Sequence, residues 1–188
     1  MLLKYETERL VLKVLKPDAA MMVLDFYNRD RELFERYETD RVPDFYTIQH
    51  QHKLLKFEYN MAVKGQTVRF YVFLKENPDY IIGTVCLHNI TYSFYQSCEI
   101  GYKFAHIFHH KGYATEAIEC AMSVAFYDLN LNRITAVVEK NNRPSCHLLE
   151  SIGYTNEGIL RDYICLHGKW QDHYLYSFLK NDDPNHRA

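Results

Sequence analysis

A mixed α/β domain built on a central sheet is predicted by three features of this sequence. Runs with strand character alternate with helical stretches along the chain. One helix is strongly patterned, with Ala114, Ala117, Ile118, Ala121, Met122 and Ala125 forming a single apolar stripe over three turns. A strand, a glycine and that helix follow one another directly at residues 98–125. At 188 residues the chain is long enough for its own core, burying roughly 70% of the unfolded surface. A composition of 47% apolar and 24% charged residues is that of an ordinary globular protein.

The elements follow in order. Glu8 to Leu15 is rich in Val and Leu and ends at Lys16-Pro17, which reads as a first strand. Pro17-Asp18 opens a helix carrying Ala20, Val23, Leu24 and Tyr27 at helical spacing. Residues 30–62 read as a loop broken by Pro43, then a helix through Leu54, Leu55, Glu58 and Met61. Val68–Leu74 and Tyr80–Leu87 form a hairpin turning at Glu76-Asn77-Pro78-Asp79, and Gly83 marks a bulge or a close backbone approach. Cys98–Phe104 is the next strand. Its parity sends Cys98, Ile100, Tyr102 and Phe104 to one face and Glu99, Gly101 and Lys103 to the other. After the Ala-rich helix, Ile134–Val138 is a short strand covered on both faces. Asn142-Arg143-Pro144 starts a helix with Ser145, Leu148, Leu149 and Ile152 on its buried face, stopped by Gly153. Two strands, near Tyr154–Tyr163 and His173–Leu179, turn at Gly168 and close the order β-α-α-β-β-β-α-β-α-β-β. Residues 1–180 read as one domain and 181–188 as a flexible tail.

Charge and cysteine usage narrow the function classes. With 22 Lys+Arg against 24 Asp+Glu the net charge is -2, which disfavours binding driven by nucleic-acid phosphates. Five widely spaced cysteines without a Cys-x-x-Cys pair argue against a disulfide framework or a zinc ribbon. No run is apolar enough for a signal peptide or a membrane span, so a cytoplasmic protein is expected. Aromatic residues make up 15%, including 16 Tyr, which suits a core edged with Tyr as well as a pocket or interface.

The chemistry is expected where a strand leaves the sheet and a helix begins, at Phe104–Glu116. A helix N-terminus carries unpaired N–H groups and positive partial charge, and a glycine lets the backbone approach an anion. His109-x-x-Gly112-x-Ala114 has that form, with Lys111 adding charge and Thr115 a hydroxyl. It is neither a Walker A loop nor a GxGxxG turn. His106, His109 and His110 lie close together, but no paired carboxylate or Cys stands at ligand spacing, so no metal is expected.

The segment His109-His110-Lys111-Gly112-Tyr113-Ala114-Thr115-Glu116-Ala117 resembles the acyl-CoA loop of the GNAT acetyltransferases. Further segments resemble the RimJ/RimL branch: Glu6-Thr7-Glu8-Arg9-Leu10, Cys98-Glu99-Ile100-Gly101-Tyr102, Asn142-x-x-Ser145, and Leu149 through Gly158. Arg161-Asp162-Tyr163 and Gly168 through Asp172 are similar too, and the matches span nearly the whole chain in order. The resemblance implies a sheet splayed between Cys98–Phe104 and Ile134–Val138, the fourth and fifth strands of this reading. Acetyl-CoA would lie in the gap. Backbone groups near Phe104 would bond its pantetheine amides, the N–H groups from His109 to Ala114 (His110, Lys111, Gly112 and Tyr113 between them) would hold its pyrophosphate, and Asn142 would reach it from the far side. The implied reaction is direct attack of a primary amine, from a protein N-terminus or a small molecule, on the thioester. Glu99 is the candidate base or substrate-orienting carboxylate, with Glu157 a weaker alternative. Ser145 is the candidate acid or thiolate partner, or a simple first-turn cap. Many family members carry a Tyr acid where this chain has Leu149. A non-catalytic acyl-CoA-binding or regulatory module is therefore the competing reading. A monomer or homodimer is expected.

Overall fold

The computed structural model describes residues 1–183. The strands are β1 (Lys4–Glu6), β2 (Leu10–Lys13), β3 (Val68–Leu74), β4 (Asn77–Thr91), β5 (Ser97–Phe104), β6 (Arg133–Glu139), β7 (Thr155–Leu166) and β8 (Lys169–Leu179). The helices are α1 (Ala20–Arg29), α2 (Arg31–Glu35), α3 (Ile48–Val63), α4 (Tyr113–Ser123) and α5 (Arg143–Ile152). All eight strands join one sheet in the order β1-β2-β3-β4-β5-β6-β8-β7. Every neighbouring pair is antiparallel except β5 and β6.

Helices cover both faces. On one, the small residues Ala117 and Ala121 bring α4 close to the sheet, where Ile118 packs among Leu10, Leu12, Phe70, Val85 and Ile100. Cys146 and Leu149 of α5 extend the same core. On the other face, Val23, Phe26 and Tyr27 of α1, Phe34 of α2 and Leu55 of α3 pack on Val11, Tyr71, Phe73 and Ile81. The alternation of β2 and β3 thus feeds two cores at once, so their sequences read as nearly continuous apolar runs.

Local chemistry sets the ends. Thr47 accepts from the His50 N–H at 3.2 Å and starts α3. Gly153, at φ 103°, ends α5 in the left-handed region. The apolar stripe expected to run on to Ala125 changes pitch after Ser123. A wider turn spans Val124–Asp128, closed by Leu129 N–H to the Val124 carbonyl at 3.0 Å.

The structure corrects several boundaries. β1 was not expected: Lys-Tyr-Glu has no strand pattern of its own and is ordered by pairing with Val11–Lys13. The segment before Pro43 contains α2. The first hairpin turns at Lys75-Glu76, because Leu74 pairs with Asn77. Pro78 falls within β4 but inside a bulge, since Phe73 already pairs with Ile81, and no ladder bond is asked of it. The chain does not fray at Asn181. Lys180–Asp182 form a 3-10 turn, and Asp183 is buried and accepts from the Tyr127 hydroxyl at 2.9 Å. Residues 184–188 of the expected tail lie outside the described residues. Among the described residues no helix is long and apolar enough to cross a membrane.

Candidate active site at the sheet split

β5 and β6 pair only through Ser97↔Arg133, Cys98↔Ile134 and Glu99↔Thr135. Beyond Glu99, β5 continues along β4 to Gly83↔Phe104, while β6 continues along β8 to Glu139↔His173. The sheet therefore opens between residues 100–104 and 136–139. Ala105 N–H donates to the Ile82 carbonyl on the β4 side at 2.9 Å. Strand alternation then turns the main-chain groups of Tyr102 and Phe104 toward the opening.

The strand–glycine–helix junction closes one end of this gap. Gly112 caps α4 at φ 77°, and His110 is also left-handed at φ 58°. Glu116 N–H makes the first helical bond, to the Gly112 carbonyl at 3.1 Å. The N–H groups of Tyr113, Ala114 and Thr115 thus point out of the helix end. His109 needs correcting. Its N–H is already given to the His106 carbonyl at 3.0 Å, so it is no pyrophosphate donor in this conformation. Its Nε2 instead lies 2.9 Å from the Phe104 carbonyl. A carbonyl only accepts, so Nε2 carries the hydrogen. One of the acceptors expected for pantetheine is therefore held by this ring. Lys111 is exposed, its Nζ 5.5 Å from the Phe108 ring centre.

The segment Glu6–Leu10, singled out only by resemblance, braces this loop. Glu116 accepts from the Thr7 hydroxyl at 2.6 Å, the Arg9 N–H at 2.8 Å and the Arg9 Nε at 2.7 Å. Arg9 Nη1 then donates to the Lys111 carbonyl at 3.0 Å, and its guanidinium lies 4.7 Å from the Tyr113 ring centre. Burial alone would raise the Glu116 carboxyl, but the Thr7 and Arg9 donors outweigh it and hold the group below its ordinary value. Sequence reasoning gave Thr7, Arg9 and Glu116 no role, because the contact spans more than a hundred residues.

Glu99 and Ser145 lie on opposite faces of the split. Glu99 stands at its root, the last residue paired with β6, and faces His88 across the strands, with His88 Nε2 at 3.7 Å and Asn89 Nδ2 at 3.4 Å. Burial keeps the His88 imidazole below its ordinary pKa even though Glu99 pulls the other way. Ser145 does not cap α5. That role falls to Asn142, whose Oδ1 accepts the Ser145 N–H at 3.4 Å. The Ser145 hydroxyl lies 2.6 Å from the Tyr102 hydroxyl, across from β5. Sequence reasoning gave Tyr102 no role beside Ser145. The available signal was its parity on the face shared with Phe104. Glu157 is committed elsewhere, to Arg133 and to the Ser177 hydroxyl at 2.7 Å.

The comparisons with known proteins bear on this geometry. Residues 9–155 match the acetyltransferase (GNAT) domain. The chain belongs to the GNAT acetyltransferases. A probable N-acetyltransferase, YjcK, of Bacillus subtilis is 33% identical over 160 residues, covering 85% of this chain and 88% of that protein. The [ribosomal protein uS5]-alanine N-acetyltransferase of Escherichia coli is 25% identical over 176 residues, covering 94% and 90%. The crystal structure of the ribosomal-protein-S5-alanine acetyltransferase of Vibrio fischeri superposes with a TM-score of 0.89 at 26% identity, covering 95% and 97%. The relatives of this GNAT protein thus include the RimJ/RimL type, and acetyl-CoA is the cosubstrate of the family. Among the described residues of this GNAT chain, no three His, Cys, Asp or Glu side chains are placed to hold a metal ion.

Two segments converge beside the α1–α3 face of this GNAT sheet. Lys103 of β5 is ion-paired with Glu38, which also pairs with Arg41. Burial, helped by Arg69 and Arg41, keeps the Lys103 ammonium well below its ordinary pKa. The tip of the β7–β8 hairpin reaches the same loop, with His167 Nδ1 2.8 Å from Asp40 Oδ1 and Nε2 3.0 Å from the Glu35 carbonyl. Both ring nitrogens face acceptors, so the clasp is complete only with the imidazolium. The Asp40 bond, followed by the Glu35 carbonyl, raises its pKa. A raised folded value means the clasp is fully present below the unfolded value, about 6.5, and lost as pH rises through the folded one. Hydrogen exchange of residues 36–44 is expected to accelerate, beyond the intrinsic rate rise, as pH climbs above the ordinary imidazole value of about 6.5. In His167→Ala the exchange should be fast throughout. Equal pH dependence in both proteins would refute the clasp.

Proposed function

We propose that this acetyltransferase moves the acetyl group of acetyl-CoA directly onto a primary amine, and that the amine is the α-amine of a protein N-terminus. The observation that carries the reading is the split itself. It is a gap with main-chain groups along one edge, a helix N-terminus at its end, and a carboxylate and a hydroxyl on opposite faces. In this reading the N–H groups at the start of α4 hold the pyrophosphate. Tyr102 and Phe104 offer main-chain partners to the pantetheine, and Asn142 lies on the far side. Lys111 adds charge near the phosphates, and residues 1–180 act as one catalytic unit.

The amine nitrogen attacks the acyl carbon as the C=O pair moves to oxygen. Collapse re-forms the carbonyl and breaks the C–S bond, with the pair leaving on sulfur. Glu99 takes the proton the nitrogen sheds, and Ser145 meets the sulfur. The α-amine is favoured on two grounds. With a pKa of about 7.7–8.0 against about 10.4 for an alkylamine, it needs little help to deprotonate. The relatives named for ribosomal-protein alanine acetylation also cover nearly the whole chain.

Release of free thiol from acetyl-CoA, measured with peptides beginning Ala, Ser or Met and with spermidine, tests the proposal. Glu99→Gln is expected to lower kcat with the best peptide by about tenfold near neutral pH. The loss should shrink as pH rises above the amine pKa. A loss independent of pH would give Glu99 an orienting role instead. The competing reading, an acyl-CoA-binding module, is favoured by Leu149, which is fully buried and carries no hydroxyl. It requires acetyl-CoA binding without thiol release from any amine.

A further inference from the structure

We propose that Tyr102 is a positioning residue that fixes the Ser145 hydroxyl as a hydrogen-bond donor to the departing coenzyme sulfur. The inference rests on the reading of Ser145 as the thiolate partner and adds a residue from the opposite wall of the gap. The two hydroxyls are 2.6 Å apart, and the Tyr102 hydroxyl is also 3.3 Å from the Ser145 carbonyl oxygen. The N-cap side chain is the one that spends its oxygen on the N–H groups of the first turn. Here Asn142 does the capping, so the Ser145 oxygen is left to Tyr102.

The direction of the bond is set by the carbonyl beside it. The Ser145 carbonyl can only accept, so the Tyr102 hydrogen lies on the Ser145 side; in the proposed arrangement Tyr102 shares it with the nearer Ser145 Oγ, which accepts. Ser145 has a single O–H, and with Tyr102 already donating to its oxygen that hydrogen must point elsewhere. Burial pushes the Tyr102 phenol well above its ordinary pKa, so it remains a donor across the working range. Leu149 on α5 carries no hydroxyl, so the second hydroxyl beside Ser145 comes from β5. A donor fixed before the C–S bond breaks stabilises charge on sulfur without reorganising at that moment. Tyr102 keeps its proton throughout, Ser145 donates a hydrogen bond without giving up its proton, and the thiolate takes a proton from water on release.

The test needs no acceptor. The thiol of CoA bound to the protein is titrated by thiolate absorbance in the near ultraviolet, against the same protein without CoA. Bound CoA is expected to ionise at lower pH than free CoA. Tyr102→Phe and Ser145→Ala should each raise that value by about one pH unit, a tenfold change in ionisation constant, and the double variant should raise it no further. Ser145→Thr should keep most of the wild-type value. Circular dichroism and thermal melting of each variant without CoA, matching the wild type, show that the fold survives. The inference is overturned if Tyr102→Phe titrates like wild type while Ser145→Ala does not, or if the two shifts add. If Ser145→Ala also titrates like wild type, the thiolate-partner reading fails and the inference with it.

Discussion

Gly83→Ala is expected to melt about 5–10 °C below the wild type, at roughly 2–4 °C per kcal/mol for a domain of this size. A Cβ on Gly83 would stand 2.4 Å from Cδ1, 2.6 Å from Cε1 and 2.7 Å from Cγ of the Phe104 ring. Real Cβ atoms do not approach so closely, so the ring must move. Overpacking of this kind costs about 1–3 kcal/mol, and the upper end applies because the ring is buried on the strand paired with Gly83. The effect does not stop at stability. Phe104 ends β5 at the split, and its carbonyl is bound by the His109 ring. Displacing it moves the edge on which the coenzyme is expected to lie. Calorimetric melting with and without CoA reads both effects: a lower Tm and a smaller CoA-induced rise. Phe104→Leu in the Gly83→Ala background should recover part of the Tm. An unchanged Tm for Gly83→Ala alone would contradict the packing.

Glu116→Ala is expected to weaken CoA binding by about tenfold or more and to cost roughly 2 kcal/mol of stability. The Glu116 side chain is 16% exposed and receives two charge-assisted bonds from Arg9 and one from Thr7. The cost is no larger because Arg9, at 44% exposure, is partly solvated. Removing the carboxylate frees Arg9 from α4, and Arg9 then loses its grip on the Lys111 carbonyl. The loop before Gly112 loosens where the phosphates are expected. The sign of the pH effect follows from the depressed carboxyl. Its stabilisation is present above the ordinary Glu value, about 4.3, and is lost as pH falls through the lower folded value. Melting below about pH 4 should therefore converge for wild type and Glu116→Ala, while a gap remains near neutrality. A constant gap across that range would remove the carboxylate from the account.

How much could be read without coordinates differs between elements for physical reasons. The α4 stripe, the strand pattern of β5 and the Asn142–Gly153 helix were legible because each depends on periodicity and caps within one segment. β1 was not, since three polar-flanked residues become a strand only when β2 is beside them. Pro78 hid the true turn, because a bulge, invisible in sequence, removes the ladder bond that proline could not make. At the site, the glycine and the helix start were legible as an anion-binding shape. That the His109 N–H is spent in a local turn was not legible, because His106-Ile107-Phe108 carries no turn signal of its own. The brace from Thr7 and Arg9 and the Tyr102–Ser145 pair are products of topology. Each joins residues that the sheet order alone brings together.

The parallel join between β5 and β6 has only three rungs. Four strands stand on one side of the opening with β5, and β6, β8 and β7 on the other. A coenzyme lying there would act as a removable ninth strand, fastening two half-sheets that the polypeptide by itself ties weakly. Rigidity in this protein then becomes a quantity the cell sets through its acetyl-CoA concentration, by mass action.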